Sequence, residues 1–272
     1  MIPAAFEYVR ADSADAAIAA LAEHGDDAKL LAGGMSLIPL MKLRLATPTV
    51  LVDLGRVTDL SYVRDGGDHV AIGALTRHRD LETSDLLAAA CPALRGVAAE
   101  VGDNQVRHRG TLGGSVAHGD PASDLPAVLL ALDATLVARG PGGTRSIAAA
   151  DFFHGFLETA LAPDELLTEI QVPKAAGGWN YQKFNRRAQD WAIVGALAVR
   201  NGSTRVALVN MGATPVRARA VEEALAAGAS AADAAAVAAD GTEAPADLNG
   251  SSEYREHLAR VLVRRALEAA GL

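Results

Sequence analysis

Apolar and polar positions along this chain change period many times, and each change marks an element. In SADAAIAALAEHG, Ser13 is placed to cap a helix that carries Ile18 and Leu21 on one side, and Gly25 to end it. AKLLA (28–32) is a short apolar run and predicts a buried strand. It stops at Gly33-Gly34, and SLIPLMKLRL resumes as a short helix, whose first turn accommodates Pro39 at little cost. TVLVDL (49–54) predicts the next strand. The opening segment therefore reads helix, strand, glycine turn, helix, strand.

SYVRDGGDHVAIGA reads as a hairpin around Asp65-Gly66-Gly67-Asp68. Thr76 is placed to cap a helix over TRHRDLETS, and a second helix is predicted from Pro92 to Val101. A second glycine pair follows in GTLGGSVAHGD, then a small-residue stretch, a helix from Ser123 or Asp124 and a strand near 134–139. PGGTR is a turn, and DELLTEIQVP (164–173) ends in a strand that Pro173 terminates. KAAGGWN is the best linker candidate and sets a boundary at 175/176. Beyond it, WNYQKFNRR and AIVGALAVRNGSTRVALVNMGATP predict antiparallel strands with a hairpin turn at RNGST. The chain then turns Ala-rich and helical, and the last segment places Tyr254, Leu258, Val261 and Leu262 on one helical face. Hairpins among helices favour an α+β fold over a purely parallel sheet.

Composition narrows the function. The 272 residues suffice for two modest domains, and half of them are hydrophobic. A net charge of −8 without a basic block argues against nucleic acid as a partner. Cys91 is the single cysteine, so neither an internal disulfide nor a cysteine-held metal or iron–sulfur site is expected. No apolar run reaches transmembrane length, and MIPAAFEYVRADSADAA lacks a basic-then-apolar signal. A soluble, cytoplasmic protein is expected.

The two glycine pairs carry the candidate chemistry. Glycine allows positive φ and lets the backbone come close to a ligand. Successive N–H groups in such a turn form an anion-binding concavity, and a helix beginning there adds partial positive charge. Ser36 and Ser115 add hydroxyls. Two such turns facing each other can hold a diphosphate from both sides. A β-branched residue at Gly33 or Gly114 is expected to block that approach. Neither turn has the spacing of a dinucleotide fingerprint or of a P-loop.

AGGMSLIPLMKLRLATP, RGTLGGSVAHGDPASDLPAVLLAL and YQKFNRRAQDWAIVGA together resemble the FAD-binding medium subunit of the molybdenum hydroxylases. That family includes aerobic carbon monoxide dehydrogenase and xanthine dehydrogenase, and the likeness covers nearly the whole chain. It implies a vanillyl-alcohol-oxidase-type FAD domain over 1–175, made of two α+β subdomains (about 1–56 and 57–175). A C-terminal domain over 176–272 would pack a three-stranded antiparallel sheet on helices.

The resemblance also implies site residues. Ala32, Gly33, Gly34, Met35 and Ser36 match the first pyrophosphate loop; Thr111, Leu112, Gly113, Gly114 and Ser115 match the second. Asp124 matches a carboxylate that accepts from the flavin's sugar-derived hydroxyls, with His118 and Ser123 as secondary candidates on the same segment. Ile72, Ala74 and Thr76 resemble a wall of the cleft, and Leu167 an apolar contact. Lys183 resembles a lysine near the flavin ring, with Tyr181 beside it. Met35 departs from the family, which often has His or Gln there; Met donates no hydrogen bond.

By the same resemblance, FAD is the cofactor and the partners are a large molybdopterin-cofactor subunit and a small subunit with two [2Fe–2S] clusters. The external electron acceptor is NAD or a quinone, the assembly is a dimer of heterotrimers, and the location is cytoplasmic or peripheral at the inner face of the membrane. The residues alone leave two other readings open: a standalone flavin oxidoreductase, and a non-catalytic nucleotide-binding assembly module.

Overall fold

The computed structural model describes residues 2–272; Met1, the first residue of the expected FAD-binding domain, lies outside the described residues. The N-terminal unit comprises β1 (Glu7–Arg10), α1 (Ala14–His24), β2 (Ala28–Leu31), α2 (Leu37–Leu43) and β3 (Val50–Asp53). Its three strands are parallel in the order β1-β3-β2, so each crossover needs a helix. Ser13 caps α1 by accepting from the Ala16 N–H, and Gly25 ends it at φ 53°. Ala17, Ile18 and Leu21 of α1 pack on Val50 and Val52, and this core also takes in Val57, Leu60 and Leu166.

The central unit begins with the predicted hairpin, β4 (Val63–Asp65) and β5 (His69–Gly73). Six short helices follow: α3 (His78–Glu82), α4 (Asp85–Ala90), α5 (Pro92–Ala99), α6 (Asn104–Arg109), α7 (Leu112–His118) and α8 (Asp124–Ala131). Then come β6 (Thr135–Gly140), β7 (Gly143–Ala148), a small hairpin of β8 (Phe153–Gly155) and β9 (Glu158–Thr159), and β10 (Leu166–Pro173). The sheet order β4-β5-β10-β6-β7 is antiparallel throughout. Two expectations fail here. Arg77, not Thr76, occupies the N-cap of α3, because the Thr76 hydroxyl is engaged with the backbone of Tyr62. The second glycine pair lies inside the first turn of α7 rather than in a turn ahead of a helix, since the Thr111 side chain caps that helix through the Gly114 N–H.

The C-terminal unit holds β11 (Trp179–Phe184), β12 (Val194–Asn201), β13 (Ser203–Val209) and β14 (Val216–Arg217), then α9 (Arg219–Ala226), α10 (Ala231–Ala236) and α11 (Ser252–Ala270). The sheet is antiparallel, as expected, but has a fourth strand of two residues that pairs Val216 and Arg217 with β13. Both faces of β12 and β13 are covered. Leu197, Val199, Ala207 and Val209 join the central core, while Ala196, Ala198, Val206 and Leu208 pack toward α11. Helix α8 is buried along its whole length because it is held between the central unit and this sheet. The buried stripe of α11 runs Arg255, Leu258, Ala259, Leu262, Val263, Ala266, Leu267, so Leu258 and Leu262 lie on it as expected while Tyr254 and Val261 fall outside it. Tyr254 is exposed and meets Phe184 edge-on at 6.3 Å instead. No helix among the described residues is long and apolar enough to cross a membrane.

Candidate functional site

The fold brings the two glycine segments into contact. A Cβ at Gly33 would lie 2.2 Å from the Arg109 carbonyl oxygen and 2.8 Å from the Gly110 Cα. Both are backbone atoms, and the Arg109 carbonyl is itself fixed by the Arg77 guanidinium at 2.9 Å. Only glycine permits this approach. A Cβ at Gly114 would meet just the Thr111 hydroxyl at 2.7 Å and the Ala32 methyl at 3.9 Å. Gly114 therefore faces the space between the segments, whereas Gly33 faces the other segment's backbone. That corrects the expectation for Gly33: a side chain there collides with protein before it meets any ligand.

Hydrogen-bond accounting separates the segments further. Among the described residues, the N–H groups of Gly33, Gly34, Met35 and Ser36 donate to no other protein group. Gly34 has φ 75°, the left-handed conformation that turns successive N–H groups to one side. Ser36 begins α2 without using its hydroxyl as a cap. In the second segment, the Leu112 N–H donates to the Thr76 carbonyl (2.9 Å), Gly113 to the Ala74 carbonyl (2.8 Å) and Gly114 to the Thr111 hydroxyl (3.1 Å). Those donors are committed to the fold. The first loop keeps its donors free; the second segment contributes surface, from Gly114, Ser115, Ala117 and His118 on the outer side of α7.

Several other candidates have no surface to offer. Ile72 and Leu112 are wholly buried, and Ala74, Thr76, Thr111, Gly113, Ser123 and Leu167 are buried as well. Ile72, Leu112 and Leu167 belong to the central hydrophobic core, so their side chains are packing groups. Asp124 is buried too. Its carboxylate accepts from the Tyr181 hydroxyl at 2.5 Å and from Lys183 Nζ at 2.8 Å, and Lys183 also donates to the Glu100 carbonyl at 2.9 Å. The structure thus joins three predicted residues, but to one another rather than around an open ligand surface. Burial holds the Asp124 carboxyl above the usual carboxylate range, against the opposing pull of Lys183 and Tyr181. Burial and the adjacent carboxylate push the Tyr181 phenol well above its ordinary value. This buried ion pair ties α8 to β11.

Beyond the C-terminal end of α7 lies a cavity of about 690 Å³ between the central and C-terminal units. Asp120 and Ala122 form one wall, Phe156 at the β8–β9 tip another, and Arg187, Trp191 and Asn210 the third. Asn210 fastens this corner: its N–H donates to the Pro121 carbonyl (2.9 Å) and its side chain to the Ala192 carbonyl (2.8 Å). Phe156 and Trp191 are 68% and 55% exposed, so both offer open aromatic faces. The sequence reading omitted them, although a lone Trp in the polar stretch NRRAQDW was a usable signal; Asn210 carried none. Seven residues of α7, about 10 Å of helix, separate the open loop from this cavity.

The free N–H groups of the first loop and the exposed aromatics of the cavity lie at opposite ends of α7. Comparisons with known proteins identify the family. The family model described as "FAD binding domain in molybdopterin dehydrogenase" matches residues 4–175. The chain belongs to this FAD-binding family. A second family model, "CO dehydrogenase flavoprotein C-terminal domain", matches residues 179–270. The carbon monoxide dehydrogenase medium chain of Hydrogenophaga pseudoflava is 42% identical over 99% of this chain and 98% of its own length. The 6-hydroxypseudooxynicotine dehydrogenase complex subunit alpha of Paenarthrobacter nicotinovorans is 38% identical over 99% of this chain and 96% of its own. Among solved structures, carbon monoxide dehydrogenase from H. pseudoflava, in a form lacking the Mo-pyranopterin moiety, superposes with TM-score 0.96 at 43% identity, covering 100% of this chain and 99% of that one. This FAD-binding chain is therefore a flavoprotein subunit of an oxidoreductase, with FAD as its cofactor.

Two predictions follow from this geometry. Gly114→Ala should lower FAD affinity at least about tenfold and cost less stability than Gly33→Ala, because its Cβ, at 2.7 Å, displaces only the Thr111 hydroxyl that caps α7. Gly33→Ala should lower both stability and FAD content. Thermal melts and cofactor titration on the two variants check this; a Gly114→Ala protein with unchanged affinity removes Gly114 from the cleft. Lys183→Met should cost roughly 3–5 kcal/mol near neutral pH by stranding a buried carboxylate. A carboxyl whose folded pKa is raised stabilises the fold only while protonated, so that cost should shrink as pH falls toward about 4. Denaturant titrations across pH decide it, and a pH-independent deficit contradicts the assignment.

Proposed function

We propose that this chain is the FAD-carrying electron-transfer subunit of a molybdenum hydroxylase of the carbon monoxide dehydrogenase type. It takes electrons from the [2Fe–2S] clusters of a small partner subunit and passes them to an external acceptor, NAD or a quinone. Substrate oxidation belongs to a large molybdopterin-cofactor subunit, and the working assembly is a cytoplasmic dimer of heterotrimers. In this reading, residues 1–175 hold FAD between two subdomains, about 1–56 and 57–175, and residues 176–272 close the cleft. The observation that carries the reading is the first glycine loop, whose consecutive N–H groups have no acceptor in the protein and whose Gly33 rests on the backbone of the second segment.

FAD, when bound, supplies the redox chemistry, and the protein's share is binding, orientation and electrostatics. The N–H groups of Gly33, Gly34, Met35 and Ser36, with the Ser36 hydroxyl, would hold the diphosphate. The chain opposite Gly33 keeps that loop in place through Arg77 and Arg109. The small outer side of α7 leaves room for the cofactor to run along the helix. Phe156 and Trp191 offer aromatic faces to a flat ring system. The Asp124–Lys183–Tyr181 cluster acts from behind, as a positioning group: it fixes β11, and with it the loop that carries Trp191, against α8. Met35 adds only its backbone N–H to the cradle, so the departure from a polar side chain leaves the donor set intact.

The test is made on the intact assembly. FAD should be released stoichiometrically on denaturation, and the flavin absorbance should bleach when the large subunit's substrate is added. An assembly without flavin that also fails to take it up on addition of FAD contradicts the proposal.

A further inference from the structure

A cavity of about 490 Å³ opens in the C-terminal unit, where the β12–β13 hairpin meets α9. It shares no lining residue with the larger cavity beside Phe156 and Trp191. Three guanidiniums line it: Arg200 near the end of β12, Arg205 on β13 and Arg219 at the start of α9. Arg200 and Arg219 are exposed. An exposed arginine without an acid partner is ordinary, but Arg205 is a different case.

The Arg205 Nε is buried and has no hydrogen-bond partner. Its terminal nitrogens stand 3.4 Å from Asp133 and 3.7 Å from Glu222, longer than the usual hydrogen-bond range. Both acids are already engaged. Arg217 holds Asp133 at 2.7 Å and Glu222 at 2.5 Å, and the Val206 N–H donates to Glu222 at 2.9 Å. Buried polar groups ordinarily have partners, so a guanidinium left short of them calls for an acceptor from outside the chain.

The surroundings supply more donors. Ser203 and Thr204 bring hydroxyls to the same cavity. Strand β14 pairs only with Ala207 and Leu208, so the start of β13 is an open edge. Val206 turns its N–H and carbonyl away from β12, to Glu222 and to the Ala218 N–H. Thr204, two residues earlier, turns its N–H the same way. Glu223 is the other carboxylate on the cavity. With Asp133 and Arg217 included, four guanidiniums face three carboxylates, in a chain whose net charge is −8.

We propose that this cavity binds a phosphate group, either free or carried as the monoester of a small organic molecule. Guanidinium forks match phosphate oxygens in pairs, and three of them with hydroxyls and a strand-edge N–H suit a tetrahedral dianion. The volume lies within the range of small-ligand pockets and leaves room for a group attached to the phosphate. The site goes beyond the electron-transfer reading and does not depend on it.

The test uses the FAD-loaded full chain, so that the cofactor's own diphosphate site is filled. Titration calorimetry with ribose 5-phosphate and with inorganic phosphate, at about 0.15 M salt, should show one saturable site. Arg200→Gln and Arg219→Gln are surface changes, and each should weaken binding at least about tenfold. Arg205→Lys keeps the charge, loses the fork and should weaken it by a similar factor. Arg10→Gln, at an exposed arginine of β1, should leave binding unchanged. If Arg205→Lys is misfolded, the two surface variants decide. Ribose 5-phosphate at least about tenfold tighter than inorganic phosphate supports a monoester site; equal affinities support a site for the free anion. Absence of saturable binding by either probe overturns the proposal. So does binding that the cavity variants leave intact, or that Arg10→Gln weakens as much as they do.

Discussion

The contact of Gly33 with the backbone of Arg109 and Gly110 is the constraint on which the cleft depends. With no side chain at 33, the loop after β2 rests directly on the chain entering α7, and the N-terminal and central units share one surface. The Arg77 guanidinium fixes the carbonyl on the far side of that contact, so the surface is held rather than merely touching. Everything the first loop offers a ligand follows from this placement. Its N–H groups have no other acceptor, and the neighbouring segment has spent its own on Thr76, Ala74 and Thr111. Two segments that look alike in sequence thus play different parts: one donates, the other shapes.

A second set of contacts fixes the C-terminal unit against the central one. The buried Asp124–Lys183 pair with Tyr181, the Asn210 N–H bond to the Pro121 carbonyl, and the Arg217–Asp133 bridge at 2.7 Å all cross between the units. A buried ion pair is seldom worth more than the apolar packing that could replace it. Its value here is register: it holds β11 against α8 with one geometry, which sets the loop that bears Trp191. The two family models divide the chain at the same place, over residues 4–175 and 179–270.

Much of this was legible in the sequence, for identifiable reasons. The strands of the C-terminal sheet and helices α1 and α11 are long enough for their periodicity to speak, and Ser13 and Gly25 announce the caps of α1. Helices α4, α6 and α7 escaped because each is only six or seven residues, too short for a repeat to show. Strand β1 escaped because EYVR is an edge strand with little apolar content. The glycine pairs were read as equivalent because sequence cannot tell which N–H groups the fold will use internally. Asp124 was expected at the flavin's sugar-derived hydroxyls and Lys183 and Tyr181 near its ring; their burial and mutual bonding depend on β11 packing against α8. That is a tertiary fact with no local signature.

Residue-level hydrogen exchange of the backbone amides, with and without FAD, tests the central claim most directly. The account predicts that amides of Gly33, Gly34, Met35 and Ser36 exchange fast in the free protein and become protected when FAD binds, while Leu112, Gly113 and Gly114 are already protected and change little. Protection that appears mainly at 112–114, with the first loop unaffected, would contradict it.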